Sequence, residues 1–395
     1  MATVQPQPAS ASVEAKIPVR GERIQSVDFF RGLTIALMIL VNNNGDFRNT
    51  YWPFLHSEWN GWTPTDLVFP FFVFIVGVSM VYSFRSRLAR GDSRGAILKH
   101  ALKRAVILFA IGVFIVNSFP DHYNPAHIRI YGVLQRIAIC YLVAAVFVLW
   151  TDVEGKIAAI AVCLIGYWIL MRYVPVPGFG VPTRDIPLLD PNRNWVAWLD
   201  RKLLMGHLYE GVRDPEGLLS TMPAIGTVLF GVLTGELLRS KVSALAKTAW
   251  MLILGVIGLA AGEFFNMWFP INKKLWTSSY VLFTAGFALV VLALCYWVLD
   301  VRKLRGRWTM PILVFGMNAI AAYTLSEMLA AGLGSWILKL NVGTEVSMQD
   351  VIYHRLFAFG GLSTPNTSLA YALAFVLVCW IVMWVLWRKK IFLKV

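Results

Sequence analysis

The sequence is poor in charged residues and in cysteine, and each shortage excludes a class of protein. Charged side chains make up 15% of the 395 residues, whereas hydrophobic side chains make up 57%. This balance excludes an ordinary soluble domain and is typical of a polytopic membrane protein. The 4 cysteines lie in apolar runs without metal-ligand spacing, so we expect neither a disulfide framework nor a metal site. No Walker, GxGxxG, HExxH or GxSxG motif occurs in a usable context.

Apolar stretches long enough to cross a bilayer recur along the whole chain. Because a spanning helix needs about 20 mostly apolar residues, we predict an all-α, polytopic transmembrane helix bundle of about ten spans within residues 23–395. Residues 1–22 are rich in Ala, Ser, Pro and Gln, and we expect a disordered cytoplasmic tail there rather than a signal peptide. The predicted spans are 26–44, 66–84, 102–118, 131–149, 156–173, 219–237, 248–265, 278–299, 310–333 and 367–388.

The distribution of lysine and arginine predicts the orientation of these spans. Basic residues concentrate in the segments that lie inside when the N-terminus is cytoplasmic, above all in residues 85–104. With an even number of spans both termini are cytoplasmic, and the net charge of +14 marks topology and contacts with anionic lipid rather than nucleic-acid binding. The loop around His56 and the large loop 173–218 are then expected on the outer side.

The most informative stretch is the polar loop between the first two predicted spans, which holds a single histidine. His56 can act as a general base or a nucleophile near neutral pH, and Asp66 or Glu58 could orient its ring. Asp66 also suits the start of a helix. A purely structural role for His56, as an interfacial histidine bonded to a carbonyl, stays open. The candidate catalytic residues are His56, Asn42, Asp66 and Asn60, with Trp59 and Glu58 as substrate-binding residues.

Further candidates lie in the spans and in the basic run. Ionisable groups inside a membrane are costly, so we predict substrate-binding roles for Arg136, Glu263 and Asn318, and pairing of Arg136 with Glu263 or Asp66. The basic run either binds the phosphates of a ligand or simply marks the inner side. Its candidate cofactor-binding residues are Arg85, Arg87, Arg94, Lys103 and Arg104.

Several motifs, in the same order along residues 23–395, resemble the heparan-α-glucosaminide N-acetyltransferase family in its shorter bacterial form. They are SVDFFRGLTIALMILVNN, LHSEWNGWTPTDLVFPFFVFIVGVSM, YGVLQRIAICY, DPEGLLSTMPAIGTVLFGVLTGELL, NKKLWTSSYVLFTAGFALVVLALCYWVLD, FGMNAIAAY and LWRKKIFLKV. The resemblance implies an enzyme that takes acetyl from cytosolic acetyl-CoA and places it on a glucosamine amine across the membrane.

The same resemblance assigns the active-site histidine. The family pattern H-x-x-W-N-G matches His56, Trp59 and Asn60, while Asn42 and Asp66 match the flanking asparagine and aspartate. In a bacterial inner membrane the site would face the periplasm. The acceptor would then be an amino sugar or glycan of the envelope.

Two other functions stay open at this point. A polysaccharide O-acetyltransferase would use a similar histidine from the same side, and a transporter or flippase would share the topology. A transporter favours paired inverted repeats, and no clear internal repeat is found. The residues leave open whether His56 acts as a base or becomes acetylated. A homodimer is compatible with the resemblance, but no residue pattern indicates one.

Overall fold

The computed structural model describes residues 24–119, 123–124, 126–339 and 345–393. The predicted tail, residues 1–22, lies outside the described residues. The described part is an all-α bundle, as predicted, with one short antiparallel strand pair, β1 and β2. The elements are α1 Gln25–Asn42, α2 Val68–Ala89, α3 Arg94–Ile111, α4 Val133–Trp150, α5 Val153–Ala161, α6 Tyr167–Tyr173, α7 Trp195–Leu204, α8 Leu218–Arg239, α9 Ala244–Asn266, α10 Ser278–Tyr296, α11 Met310–Met317, α12 Ala319–Ser335, β1 Ile337–Lys339, β2 Glu345–Ser347, α13 Met348–Leu356 and α14 Pro365–Arg388.

The chain is a multi-pass membrane protein. Within the described ranges, eight helices are long and apolar enough to cross a bilayer, and α11 with α12 would make a ninth span bent by 75°. The remaining predicted span coincides with α1, which carries Asp28 and Arg31 in its first two turns and is not among the eight. Ten spans and the cytoplasmic termini therefore stay predictions.

Glycines let neighbouring spans approach closely, because they have no side chain at the contact. Close packing matters here because lipid supplies no hydrophobic force to press the helices together. A Cβ on Gly231 of α8 would lie 1.9 Å from the Phe74 carbonyl oxygen of α2. A Cβ on Gly316 of α11 would lie 2.1 Å from the Asp28 carbonyl oxygen of α1. These contacts hold α8 against α2 and α11 against α1, and because α1 also packs on α2 the four helices form one unit.

The loop before α2 and the loop that joins α9 to α10 lie at the same end of the bundle, which we call the His56 end. The large loop predicted over 173–218 contributes α7 there. A small second core beneath it consists of Tyr167, Met171, Leu189, Val196, Phe269 and Leu275. The opposite end, where α2 stops, is called the Arg87 end.

Candidate active site

His56 and Asp66 form a hydrogen-bonded pair at the mouth of α2. A 3-10 turn, Pro64–Leu67, precedes this helix, and its Asp66 carboxylate is fully buried. His56 Nδ1 lies 2.7 Å from Asp66 Oδ1. The other carboxylate oxygen accepts backbone N–H bonds from Ser57 and Thr63, each at 3.0 Å. Asp66 therefore both starts the helix and orients the histidine, so the two roles foreseen for it are not alternatives.

This bond sets which nitrogen of His56 is free to react. When Nδ1–H donates to a carboxylate, the neutral ring has its lone pair on Nε2. The His56 side chain is 46% exposed, whereas the Asp66 side chain is 0% exposed. A reactant can therefore reach the imidazole, while the carboxylate that holds it is shielded from water.

Lys273 completes the cluster, and the sequence analysis missed it. Its Nζ lies 3.0 Å from His56 Nδ1, 3.2 Å from Nε2 and 3.7 Å from Asp66 Oδ1. Nearly equal distances to both ring nitrogens mean that the ammonium lies beside the ring, off both lone-pair axes. Two signals were available: Lys273 lies in the family motif that begins NKKLWTSSY, and it is a lysine in a loop predicted to be outside, against the positive-inside rule.

The loop that carries Lys273, residues 267–277, is bonded to the His56 loop. Gly61 N–H donates to the Ile271 carbonyl at 2.7 Å, and Asn272 Nδ2 donates to Asn60 Oδ1 at 3.2 Å. Asn272 Oδ1 accepts the Leu275 N–H at 3.0 Å, so the turn is closed from within. Asn60, a predicted catalytic residue, thus aligns the two loops.

The surroundings of His56 disfavour the charged form of its ring. Burial lowers the pKa of His56 below its usual value and Lys273 lowers it further, while the bond to Asp66 opposes both. Burial also lowers the pKa of Lys273, against the attraction of Asp66 and Glu216. A neutral imidazole is the form that can take a proton or attack a carbonyl.

Trp59 ties the His56 loop to the large loop. Its Nε1–H donates to the Leu189 carbonyl at 2.9 Å, and the Arg213 guanidinium lies 4.4 Å from the centre of its ring. Such a cation–π contact adds about 0.5–1 kcal/mol or more when desolvated. Trp59 therefore holds the His56 loop against the large loop.

Acidic residues before α8 form a second charged layer. Arg129 Nε lies 2.7 Å from Asp214 Oδ2, and Arg129 Nη2 lies 2.5 Å from Glu216 Oε2. Burial raises the pKa of Glu216, but Arg129, Arg136 and Lys273 outweigh it and leave that pKa lowered. Glu216 is therefore a buried negative charge shared between Arg129 and the His56 cluster.

Arg136 lies one layer below the pair and does not meet Glu263. It is fully buried, donates to the Pro215 carbonyl at 2.9 Å and to the Ser220 hydroxyl, and stacks 4.8 Å from the Trp276 ring centre. Trp276 in turn packs on Tyr280, whose hydroxyl donates to the Asp66 carbonyl. The predicted pairing of Arg136 with Glu263 or Asp66 is absent within the described residues, because the segment before α8 and the first turn of α8 supply its partners.

The other candidates make no hydrogen bond to His56 or Asp66 within the described residues. Asn42 Nδ2 donates to Glu327 Oε1 at 3.4 Å, and the exposed Glu58 carboxylate has no hydrogen bond to the described chain. Glu263 is exposed on α9 and accepts from Asn266 at 3.3 Å. Asn318 stands at the α11–α12 bend, where it bonds the Ile391 carbonyl at 3.1 Å and the Leu393 N–H at 2.9 Å. The structure therefore does not bring Asn42, Glu58, Glu263 or Asn318 to the pair.

The predicted cofactor-binding residues are divided at the Arg87 end. A groove of about 410 Å³ opens there, and Arg87 is the one predicted member that lines it. Arg85, Arg94 and Lys103 are exposed outside the groove, and Arg104 stacks 4.9 Å from the Tyr141 ring centre. The groove is lined by Ser83, Ser86, Arg87, Arg90, Asp92 and His100.

One family profile and two curated relatives that are similar to this chain carry the same name. The family profile described as heparan-alpha-glucosaminide N-acetyltransferase, catalytic, matches residues 23–268. The heparan-alpha-glucosaminide N-acetyltransferase of Mus musculus is 35% identical over 364 residues, which cover 78% of this chain and 54% of the relative. That of Homo sapiens is 34% identical over 446 residues, which cover 98% and 62%. The chain therefore spans less than two thirds of either relative's length.

Proposed function

Because the chain belongs to the heparan-α-glucosaminide N-acetyltransferase family, we propose that it is a membrane enzyme that moves acetyl from acetyl-CoA to the amine of a glucosamine-type sugar. The observation that carries the proposal is the His56–Asp66 pair, with Nε2 on an accessible ring. We propose the inner membrane of a bacterium as its location, with the His56 end facing the periplasm. The acceptor is then an amino sugar or glycan of the envelope.

In the direct route His56 acts as a general base. Nε2 takes a proton from the sugar amine as the nitrogen attacks the thioester carbon. The carbon–sulfur bond then breaks, and the imidazolium returns the proton to the leaving thiolate. Asp66 holds Nδ1–H throughout and stabilises the imidazolium charge, as a triad carboxylate does. General base catalysis of this kind contributes about 10²–10⁴-fold.

In the two-step route Nε2 itself attacks the thioester carbon. CoA leaves as the thiolate and the ring carries the acetyl group as an acetylimidazolium. The sugar amine then attacks the acetyl carbon, the bond from that carbon to Nε2 breaks, and the amine proton passes to Nε2 and on to solvent, which regenerates His56. Both routes need a neutral, accessible Nε2. They differ in one observable, since CoA release without an acceptor occurs only in the two-step route.

We propose that acetyl-CoA approaches through the groove at the Arg87 end, where Arg87, Arg90 and His100 can attract its phosphates. Arg87 follows Asp66 by 21 residues on one helical run, which corresponds to about 32 Å. That distance exceeds the reach of the arm that joins the pyrophosphate to the thioester. The groove is therefore an entry point, and the phosphates leave it before transfer.

The acceptor is proposed to bind between the His56 loop and the large loop. Trp59 and Asn60 lie in the same loop as His56, and the indole–Arg213 stack fixes that wall. Arg136 supports the floor through Trp276 and does not touch the sugar. Glu263 and Asn318 take no part in the proposed acceptor site.

The test is acetyl transfer by purified protein with radiolabelled acetyl-CoA and glucosamine. His56→Gln should lose at least about 10²-fold in turnover, because it removes the base. His207→Gln is the matched control, since the His207 ring bonds the Ile128 carbonyl at 2.9 Å on the same end of the bundle. It should keep wild-type turnover.

The acceptor separates the remaining readings. N-acetylglucosamine, whose amine is blocked, should accept no label. If it becomes labelled, the acetyl group goes to a hydroxyl, and the proposed N-acetyltransferase is an O-acetyltransferase instead. His56-dependent CoA release without labelled glucosamine would overturn the proposed acceptor and retain acetyl transfer. Equal turnover of wild type and His56→Gln would overturn the role of His56, and no turnover in either would favour a transporter.

A further inference from the structure

The two lysines of the 267–277 loop are adjacent but face different partners. Lys274 Nζ pairs with Glu210 Oε1 at 2.9 Å. Lys273 Nζ turns to His56 and Asp66, and its side chain is 18% exposed. One ammonium therefore closes a loop contact, while the other is held in the reactive cluster.

The Lys273 ammonium, which contacts the His56 ring and Asp66, has at least one hydrogen-bond donor to spare. Three N–H groups need acceptors, yet His56 Nδ1 is taken by Asp66 and the ammonium lies off the Nε2 lone-pair axis. Asp66 Oδ1, at 3.7 Å, is beyond hydrogen-bond length. A fixed cation with unused N–H groups beside the reacting nitrogen is suited to stabilise negative charge on a substrate oxygen.

Its position is set before any substrate arrives. The Ile271 carbonyl and the Asn272 side chain are bonded to Gly61 and Asn60, and Trp276 is anchored by Thr227 at 3.1 Å. These bonds lie on both sides of Lys273 in the loop. A donor held in this way costs little reorganisation during reaction.

We propose that Lys273 is a second catalytic residue of this site, which donates to the acyl oxygen while His56 Nε2 acts on the proton or the acetyl carbon. The inference rests on the proposed acetyl transfer. As the amine or the ring adds to the thioester carbon, the carbonyl oxygen gains negative charge, and Lys273 N–H bonds to it. That charge returns when the carbon–sulfur bond breaks, so Lys273 keeps its proton.

Lys273 also acts on His56 itself. The charged groups that face the ring are Asp66 at the start of α2, Lys273 from the 267–277 loop, and Glu216 from the segment before α8. The cation opposes protonation of the ring, and the two carboxylates favour it. Removing Lys273 should therefore raise the pKa of His56 and leave less neutral imidazole near neutral pH.

The experiment compares Lys273→Met with Lys273→Arg, and uses Lys274→Met as the matched control. Methionine keeps the length and apolar contacts of the chain without the charge. We expect Lys273→Met to lose about 10²–10³-fold in kcat, as removal of an oxyanion donor does, with partial recovery in Lys273→Arg. Lys274→Met should keep wild-type kcat, and thermal unfolding of all variants checks that they are folded.

A second readout needs no turnover. An imidazole reacts with diethyl pyrocarbonate only in its neutral form. The rate at which the peptide that contains His56 is modified, measured as a function of pH, therefore reports the His56 pKa. Lys273→Met should move that curve to higher pH, and Lys274→Met should not. Unchanged kcat and an unchanged curve in Lys273→Met would overturn the inference, as would lost kcat with an unmoved curve and no recovery in Lys273→Arg.

Failure of this inference is distinguishable from failure of the proposed function. Acetyl transfer that needs His56 but not Lys273 would overturn the role of the lysine alone. Absence of acetyl transfer in wild type, with the His56 curve still moved by Lys273→Met, would overturn the proposed reaction. The catalytic role given to Lys273 would then be overturned with it.

Discussion

The two ends of the bundle both gather charged side chains, but they hold them in different ways. At the His56 end, Asp66 is fully buried and Lys273 is partly buried. Their contacts join segments more than 200 residues apart, as in the Lys273–His56 separation of 217. At the Arg87 end, Arg87 bonds Asp92 at 2.7 Å and the exposed Arg90 bonds Ser86 at 3.2 Å, all within one turn region.

The difference separates a constructed site from a charged surface. Bonds between distant segments fix side chains in one geometry, which catalysis needs, and burial makes each of them costly to break. Local bonds between exposed groups are screened by water and salt and fix little. Charge count alone would have ranked the Arg87 end first.

The largest effect is expected from Asp66→Asn. The substitution removes the acceptor that holds His56 Nδ1–H, so the ring loses its tautomer and the imidazolium its partner. We expect a loss of about 10³–10⁴-fold in kcat, measured with labelled acetyl-CoA and glucosamine. Asp92→Asn, at the Arg87 end, is the control and should retain kcat; a comparable loss there would remove the contrast between the ends.

The sequence predicted the helices and the centre of this site because both depend on local signals. Long apolar runs give the spans, and the family pattern around His56, with Asp66 at the start of the next span, singles out the two residues that the structure pairs. Lys273 was not predicted, because its place in a motif does not show its contact with His56, which lies 217 residues away in the chain. Asn318 and Glu263 were misplaced for the opposite reason, because polarity inside a span does not tell which side the residue faces.

The next effect concerns stability rather than rate. Arg129→Gln leaves the buried Asp214 and Glu216 carboxylates without their cation, and breaking a buried pair costs about 3–5 kcal/mol. Thermal unfolding in detergent should show a clear fall in the melting temperature. Arg184→Gln breaks the exposed pair with Asp185 and should leave that temperature unchanged. Equal melting curves for both variants would contradict the stabilising role given to the Arg129 pairs with Asp214 and Glu216.

A third prediction concerns the pH dependence of His56. Its pKa is lowered below 6.5, so the neutral ring should persist as the pH falls through 6.5 and be lost only below that value. Asp66 opposes the lowering, and Lys273 reinforces it. Asp66→Asn should therefore lower this pKa further, whereas Lys273→Met should raise it. Carbethoxylation of the His56 peptide against pH measures both shifts, and shifts of the same sign would contradict the geometry.

The smallest effect is expected at the Arg87 end. Arg87→Gln combined with Arg90→Gln removes two charges from the groove, but Arg90 is exposed and Arg87 is partly exposed, so each interaction is weak. The KM for acetyl-CoA should rise by about 2–10-fold at low salt and less at high salt, with kcat unchanged. A fall in kcat comparable to that of Asp66→Asn would give the groove a direct part in the reaction.

The most direct test of the account is a single turnover with labelled acetyl-CoA and glucosamine, run with wild type, His56→Gln and the Arg87→Gln/Arg90→Gln double variant. At saturating donor, wild type and the double variant should form labelled N-acetylglucosamine at the same rate, and His56→Gln should form almost none. Wild-type transfer by His56→Gln would contradict the claim that the chemistry takes place at the His56 end.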